Sequence, residues 1–358
     1  MKILIYGGTF NPIHLAHLKN IEWVGCCFDK VLVIPNKKGH FKVGDELASI
    51  SDRLKMIELG LKQLPSNLNV EISGIEIISE NSLYSYDVVR LLQKQYPQAQ
   101  FSFLIGSDQA KDLNNWYKIT ELKEMVEFIV TKRDADYTSN EFKVFDNELL
   151  DYSSTAIRQE YVSSGIVAVD EYIRKEGLYL KSLVSNHLSE ERLQHSNNVA
   201  DLAVKMACKY QLDVKKAYIA GMLHDLCKEM PLEKQYELIK GDPTLFEVSD
   251  ATVHAFSAYH YIKDELMITD EEILTAIKWH TTAYYQMSDL AKLIYTCDML
   301  SLERDFKGIE ELRLLLNKDL NECFKACFSA SYEHLIIKGL KISEELIILK
   351  EMIERNEV

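Results

Sequence analysis

An apolar run that ends at two adjacent glycines constrains the fold of this 358-residue chain more than any other feature. Ile3–Tyr6 has the composition of a buried strand, and Gly7 and Gly8 lack a Cβ where the backbone must turn sharply and approach a ligand. Pro12 is of a residue type tolerated just inside a helix. The stretch therefore predicts a strand, a glycine turn and the start of a helix, with free amides that could meet a polyphosphate.

Two histidines follow this turn. His14 and His17 are three residues apart, so both imidazoles would project from one face of the predicted helix, beside its positive end, where phosphoryl oxygens bind well. The alternative is an ordinary βα turn with two surface histidines, because the stretch contains neither a Walker A motif nor Gly-x-Gly-x-x-Gly. Residues 7–17 resemble the signature of the nucleotidyltransferase superfamily, in the form carried by bacterial nicotinate-nucleotide adenylyltransferases. The resemblance implies that both histidines are catalytic and that phosphate is bound by Gly7, Gly8, Thr9 and Phe10.

The net charge of −14 argues against a general binder of nucleic acids or membrane surfaces. A polyanionic substrate must therefore be bound by local lysines, arginines, amides or metal ions. The seven cysteines form no Cys-x-x-Cys pair, and we expect reduced thiols in a cytoplasmic protein. The N-terminal apolar run is too short for a signal peptide, and no span approaches transmembrane length.

Strand and helix patterns alternate through the first half of the chain. The predicted segments are extended at 31–34, 70–78, 101–106 and 128–130, and helical at 52–64 and 86–95. This alternation predicts an α/β domain with a doubly wound parallel sheet. In such sheets ligands bind beyond the carboxyl ends of the strands, which is where Gly7, Pro35, Gly106 and Arg133 fall.

Three later segments also resemble the adenylyltransferase family. Residues 106–117 look like its Gly-x-Asp…Leu-x-x-Trp segment, residues 84–87 resemble its Tyr-Thr-x-Asp, and residues 152–158 resemble its Ile-Ser-Ser-Thr-x-Ile-Arg. The resemblance implies that Asp108 binds ribose hydroxyls and that Trp116 lies against the pyridine ring, with core packing as the alternative for Trp116. The residues that it implies for ATP are Gly106, Asp108, Ser153, Ser154, Thr155 and Arg158, and those for nicotinate mononucleotide are Lys42, Tyr84, Ser85, Trp116, Tyr117 and Arg133.

The hydroxyl-rich segment before Arg158 has two interpretations. Ser153, Ser154 and Thr155 at a helix N-terminus, followed by an arginine, would bind a phosphate because caps, amides and guanidinium converge. Otherwise these residues are only a helix cap. The resemblance implies that a mononucleotide phosphate attacks the α-phosphate of ATP and releases pyrophosphate, with charge neutralised by the two histidines, Arg158 and Mg²⁺.

One loop departs from the family pattern. After the second strand the family shows Pro-Pro-His-Lys, whereas residues 38–42 here read Lys-Gly-His-Phe-Lys. This loop covers the nucleotide in the family, so the departure leaves the choice between the acid and the amide mononucleotide open. We expect the acid to be preferred.

The first domain is expected to end near Tyr179. Residues 169–179 resemble the last helix of free-standing adenylyltransferases, and a helical pattern without a Pro/Gly/Ser linker begins within a few residues. We therefore predict two closely joined domains, residues 1–182 and 183–358. The first would be a Rossmann-like nucleotidyltransferase domain, and the second would be all-helical.

Residues of metal-ligand type lie on apolar faces of the predicted helices in the second half. They are His195, His224, Asp225, His254, His280 and Asp298. One such histidine is usually a satisfied core residue, but six buried polar groups are costly unless they are paired or bind metal. Their order resembles the HD metal-dependent phosphohydrolase superfamily. Neighbouring residues look closest to its symmetrical bis(5′-nucleosyl)-tetraphosphatases, which cut diadenosine tetraphosphate into two ADP.

The HD resemblance implies a dinuclear transition-metal centre. The ligands of one ion would be His195, His224, Asp225 and Asp298, and those of the other would be His254, His280 and a bridging Asp225. Iron is the metal that the resemblance favours, although manganese or zinc also suits imidazole and carboxylate ligands. Asp225 and Lys228 would be catalytic, and Arg304 is a further cation available to the phosphates.

We therefore expect a bifunctional enzyme that makes deamido-NAD from ATP and nicotinate mononucleotide and hydrolyses diadenosine tetraphosphate. Two alternatives stay open. The first domain could be a nucleotide sensor that has lost transferase activity and regulates the hydrolase. The HD domain could instead act on a guanosine alarmone or a deoxynucleotide. A homo-oligomer is compatible with the sequence, and no nucleic-acid or membrane partner is expected.

Overall fold

The computed structural model of the chain describes residues 1–37, 46–79, 83–242 and 248–357. The chain folds into two compact units, the first made of residues 1–158 and 162–173 and the second of residues 159–161 and 174–358. The first unit is α/β, and the regular secondary structure described in the second is entirely helical, so the predicted fold class is confirmed. The domain limit predicted between residues 182 and 183 stays a prediction.

The first unit is built on one parallel sheet. Its strands are β1 (Lys2–Gly8), β2 (Lys30–Pro35), β3 (Val70–Ile72), β4 (Gln100–Gly106), β5 (Glu127–Thr131) and β6 (Lys143–Phe145). The order β3-β2-β1-β4-β5-β6, with every neighbouring pair parallel, confirms the predicted doubly wound sheet. The order reverses between β1 and β4, so a crevice for ligands lies beyond Gly8 and Gly106.

Two strands differ from the predicted pattern. β3 ends at Ile72, whereas the extended pattern continues to Ile78. The chain turns after β3, and the N–H of Ile78 donates to the carbonyl of Gly74 at 3.0 Å. β6 was not predicted, because its three residues are too few to reveal a period of two.

Helices cover the sheet. They are α1 (Leu15–Gly25), α2 (Ile50–Leu61), α3 (Ser85–Gln95), α4 (Ser107–Lys111), α5 (Ile119–Met125), α6 (Ser154–Glu160) and α7 (Val167–Glu176). Apolar residues of the sheet such as Ile5 and Phe103 share one core with Leu92 of α3 and Leu122 of α5. This core supports the strand ends at which the predicted ligand residues lie.

Helix α1 begins at Leu15 and not next to Pro12 as the sequence suggests. Two main-chain carbonyls before α1 accept hydrogen bonds from side chains of α6. Arg158 Nη1 donates to Asn11 O at 2.8 Å, and Ser154 Oγ donates to Pro12 O at 2.9 Å. These bonds hold the turn in a non-helical path until the chain enters α1.

The second unit is a bundle. Its helices are α8 (Leu180–His187), α9 (Glu190–Tyr210), α10 (Val214–Leu223), α11 (Leu232–Leu238), α12 (Val253–Asp264), α13 (Glu271–Lys278), α14 (Asp289–Leu300), α15 (Ile309–Leu316), α16 (Leu320–Ile337) and α17 (Glu344–Glu354). A Cβ at Gly221 would lie 2.7 Å from Cα of Ala200, so glycine allows α9 and α10 to pack closely. Among the described helices, none has the length and hydropathy needed to cross a membrane.

Candidate active sites

The two histidines after β1 form one close pair, in which His14 is buried and His17 is half-buried. The ring centroids of His14 and His17 are 3.7 Å apart, and the backbone N–H of His14 donates to Nδ1 of His17 at 3.2 Å. Burial, and next the positive Arg133, lower the pKa of His14 to about 3. Burial, His14 and Arg133 hold the pKa of His17 well below its usual value. Both rings are therefore neutral near pH 7 without a bound anion. Because Nδ1 of His17 accepts the hydrogen bond from His14, the proton of the His17 ring lies on Nε2.

The turn before this pair is shaped by packing. Phe10 adopts a left-handed backbone conformation with φ 49°, is 2% exposed, and packs edge-on against His17 with centroids 5.2 Å apart. A Cβ at Gly8 would lie 3.1 Å from the ring of Phe10. The carbonyl of Thr9 accepts from Nη1 of the buried Arg53 at 2.9 Å. The predicted phosphate-binding residues thus form a rigid turn beside the histidines, and their contact with phosphate stays a prediction.

A cavity of about 200 Å³ lies beside the histidine pair. His14 and His17 line it together with Lys132, Arg133 and residues 147–152. The Nδ1 atom of His14 is buried and has no hydrogen-bond partner among the described residues. The lining therefore contains two cations and two imidazoles, and also the acidic residues Glu148 and Asp151.

A larger cavity of about 540 Å³ lies at the crevice of the sheet. Its lining includes Gly7, Tyr84, Ser85, Asp108, Trp116 and Tyr117, all of which the sequence predicts as ligand-binding residues. Trp116 also packs edge-on against Phe103 and Phe128, with centroids 5.9 and 6.4 Å apart. The core therefore fixes a ring that also borders the cavity, and the contact of Trp116 with the pyridine ring stays a prediction.

Glu76 is a cavity residue that the sequence reasoning missed. Burial raises its pKa to about 7, although the N–H of Lys37, which approaches at 3.4 Å, and Arg53 oppose the shift. Glu76 lies in a stretch interpreted as strand, where its side chain would have alternated to the solvent face. The position of this acidic residue within an apolar run was the sequence feature that could have identified it.

The phosphate-binding residues predicted on α4 and α6 are only partly accessible. Arg158 is 4% exposed, and its Nη1 donates to the carbonyls of Asn11 and Ser154, the latter at 3.1 Å. Ser153 and Thr155 are exposed. Asp108 forms an ion pair with Arg133 at 3.3 Å, and a Cβ at Gly106 would collide with the Asp108 carboxylate. Lys42, with the rest of the divergent 38–42 loop, lies outside the described residues.

The second unit brings the predicted metal ligands into one buried cluster. His195 Nε2 lies 3.2 Å from His224 Nε2 and 3.0 Å from Asp298 Oδ1. Three overlapping groups of ligand atoms could each hold an ion: His195 with His224 and Asp225, His224 with His280 and Asp298, and Asp225 with His254 and His280.

Asp225 lies between the two halves of the cluster. Its Oδ2 is 3.7 Å from Nε2 of both His195 and His224. Its Oδ1 is 3.2 Å from His254 Nε2 and 3.5 Å from His280 Nε2. One carboxylate oxygen thus faces each set of imidazoles, an arrangement that suits a bridging ligand of two ions.

Main-chain carbonyls orient two of these imidazoles. Nδ1 of His224 lies 2.7 Å from Gly221 O, and Nδ1 of His280 lies 2.7 Å from Ile277 O. A carbonyl can only accept, so each Nδ1 carries the proton and each Nε2 presents a lone pair to the cluster. Imidazole nitrogens and carboxylate oxygens together suit a divalent transition metal better than magnesium.

Three ligands of the cluster have the protonation state that metal binding needs. His195 differs from them, because burial lowers its pKa but the carboxylates of Asp298 and Glu303 outweigh burial and raise it. Burial lowers the pKa values of His224 and His254 to about 4. Burial alone would raise the pKa of Asp225, but the neighbouring His224, His254 and His280 outweigh it and hold that pKa well below its usual range. Carboxylate and neutral imidazole are the forms that bind metal.

Three cations border the cluster. Arg192 Nη1 lies 3.2 Å from Asp225 Oδ2, Arg304 Nη2 lies 3.0 Å from Asp298 Oδ1, and Lys228 Nζ lies 3.2 Å from the His254 ring. The sequence reasoning named Lys228 and Arg304 but missed Arg192. Its position three residues before His195, on the same helical face, was the signal that could have identified it.

Comparison with known proteins matches each unit separately and the chain as a whole. A family model described as cytidylyltransferase-like matches residues 5–160, and one described as an HD domain matches residues 192–303. Two proteins that are each named "probable nicotinate-nucleotide adenylyltransferase/Ap4A hydrolase" are 30% identical to this chain. The alignment with the Mycoplasma genitalium protein covers 85% of this chain and 88% of that protein. The alignment with the Mycoplasma pneumoniae protein covers 90% of this chain and 96% of that protein. A "probable nicotinate-nucleotide adenylyltransferase" of Lactococcus lactis is 36% identical over 50% of this chain and 96% of its own length. The HD match implies a divalent-metal site, for which the buried cluster supplies candidate ligands.

Proposed function

Because this chain belongs to the nicotinate-nucleotide adenylyltransferase/Ap4A hydrolase family, we propose that it catalyses both reactions. Residues 1–182 would transfer AMP from ATP to nicotinate mononucleotide, giving deamido-NAD and pyrophosphate. Residues 183–358 would hydrolyse diadenosine tetraphosphate (Ap4A) symmetrically to two ADP. The observation that supports the first activity is the close pair of His14 and His17 beside Lys132 and Arg133, and the one that supports the second is the six-ligand cluster.

In the transferase, the mononucleotide phosphate attacks the α-phosphate of ATP and pyrophosphate leaves. His17 donates from Nε2 to a phosphoryl oxygen, since its Nδ1 accepts the His14 N–H. Arg133 adds positive charge on the same side, and Mg²⁺ would accompany the triphosphate. Arg158 holds the carbonyl of Asn11, and with it the turn that presents both imidazoles.

The 540 Å³ cavity is the proposed site of the mononucleotide. Trp116 and Tyr117 offer aromatic surface to the pyridine ring, and Ser85 begins helix α3, whose positive end favours the acid over the amide. Specificity constants for nicotinate and nicotinamide mononucleotide test this preference. Equal values would contradict it without affecting the transferase assignment.

In the hydrolase, the two ligand sets that meet at Asp225 would hold two divalent ions, with iron as the proposed metal. Such ions supply Lewis acidity and activate water when bound. Arg192, Lys228 and Arg304 border the cluster and would neutralise the charge of the tetraphosphate, with its central anhydride bound at the cluster. Water adds to one inner phosphate and the other leaves, so each half departs as ADP.

Asp225→Ala tests the hydrolase assignment. The substitution removes the residue proposed to bind both ions, so the purified protein should lose its bound transition metal and its hydrolysis of Ap4A, while transferase activity is retained. Elemental analysis and chromatography of the nucleotide products measure the three properties. A variant that still cuts Ap4A after metal is supplied would refute the centre, and AMP with ATP as products would refute symmetrical cleavage.

A further inference from the structure

His195 differs from His224 and His280 in the hydrogen-bond partner of its Nδ1 atom. Nδ1 of His224 and Nδ1 of His280 face neutral main-chain carbonyls. Nδ1 of His195 instead faces the carboxylate of Glu303 within hydrogen-bonding distance. No sequence period marks Glu303, because it lies in the turn that follows α14.

Glu303 is itself held from several directions. Its Oε1 also accepts from Ser301 Oγ at 2.7 Å, and its Oε2 accepts from Asn198 Nδ2 at 2.6 Å. The turn that carries it is fixed by Arg313, whose Nη2 donates to the carbonyls of Ser301 at 2.7 Å and Arg304 at 3.1 Å. A side chain with both carboxylate oxygens engaged, in a turn whose neighbouring carbonyls are bonded, has a fixed orientation, although it is about 39% exposed.

We propose that Glu303 is a positioning residue of the metal centre, one that fixes the tautomer of His195 and strengthens it as a ligand. The inference rests on the proposed metal centre. The carboxylate favours the tautomer of His195 with its proton on Nδ1, which leaves the lone pair of Nε2 for an ion that Asp298 and Asp225 would also hold. An anionic acceptor also raises the basicity of Nε2 more than a neutral carbonyl does.

This arrangement makes the two halves of the cluster unequal. Glu303 supports the half that contains His195 and Asp298, and it does not contact the half formed by His254 and His280. Loss of Glu303 should therefore weaken one ion and spare the other. A general structural defect would instead weaken both ions and lower the stability of the metal-free protein.

The test uses the full chain with Glu303→Ala and Glu303→Gln. Glu311→Gln, an exposed glutamate on α15, is the control with the same change in charge. Mn²⁺ binding is measured by competition with a chelator. Glu303→Ala should lower the affinity for the ion on the side of His195 and Asp298 by roughly 10- to 100-fold, and it should leave the affinity for the ion on the side of His254 and His280 unchanged. The affinity of Glu303→Gln should lie between those of Glu303→Ala and the wild type, because an amide oxygen still accepts a hydrogen bond. Glu311→Gln should bind like the wild type.

Three further readouts separate positioning from misfolding and from a wrong substrate. The thermal midpoint of the metal-free protein should decrease only slightly in Glu303→Ala, which loses the bonds from Ser301 and Asn198. Transferase activity should be unchanged in every variant, and excess metal should restore hydrolysis in Glu303→Ala. Wild-type affinity for both ions in Glu303→Ala would overturn the inference. A wild-type protein that binds no transition metal would overturn both this inference and the proposed hydrolase. Glu303-dependent metal binding without cleavage of Ap4A would support the positioning role and refute only the substrate.

Discussion

Replacing His17 with alanine tests the transferase site most directly. The variant loses the donor at Nε2, while the His14 N–H loses its acceptor and must turn to water or a neighbour. The ring of His17 packs against Phe10, but it also lines the 200 Å³ cavity, so solvent can fill the space that it leaves. The effect on stability should therefore be small beside the effect on the reaction.

The expected loss follows from the geometry of one preorganised donor. A neutral imidazole fixed beside a developing phosphoryl charge resembles one donor of an oxyanion hole and contributes on the order of 3 kcal/mol to the transition state. This corresponds to a decrease of roughly 100-fold in kcat. KM for ATP should change much less, because the interaction strengthens as charge develops.

Steady-state release of pyrophosphate from Mg-ATP and nicotinate mononucleotide measures the loss. Ap4A hydrolysis by the same preparation and the thermal midpoint are the folding controls, and His334→Ala, an exposed histidine of α16, is the matched substitution. Unchanged turnover in His17→Ala would refute the assignment of this residue. A loss of both activities together would indicate misfolding and not removal of a donor.

Three other predictions concern stability. The pKa of His14 is near 6.5 in an unfolded chain but about 3 in the folded protein. The free energy of unfolding should therefore decrease as the pH is lowered through this window, by about 2 kcal/mol at pH 5. Thermal midpoints of the wild type and of His14→Asn between pH 7 and pH 5 test this, because the midpoint of the variant should depend less on pH. A fragment that starts at residue 183 should be less stable than one that starts at 174, because it lacks the buried Leu180 and the first turn of α8, and circular dichroism of both fragments measures the difference. Gly221→Ala should cost about 1–3 kcal/mol, since its Cβ meets the backbone of Ala200, and an unchanged denaturation midpoint would contradict the close packing of α9 on α10.

Local patterns in the sequence were enough to predict most of the framework. The strand runs that end at Gly7, Pro35 and Gly106 predicted a parallel sheet, because buried parallel strands are apolar on both faces. The six ligand-type residues on inward helical faces predicted a buried cluster, since polar groups at such positions must find partners. These inferences depend on the chemistry of single elements, which short stretches of sequence encode.

Tertiary structure alone decided which groups meet across elements. Glu76 borders the larger cavity only because β3 ends early, and Glu303 reaches His195 across 108 positions of the chain. Arg158 donates to Asn11 at a separation of 147 positions, so a residue that sequence reasoning assigned to a phosphate also fixes the turn before the histidines. Pairings of this kind depend on how helices and loops pack in three dimensions, and no period within one element records them.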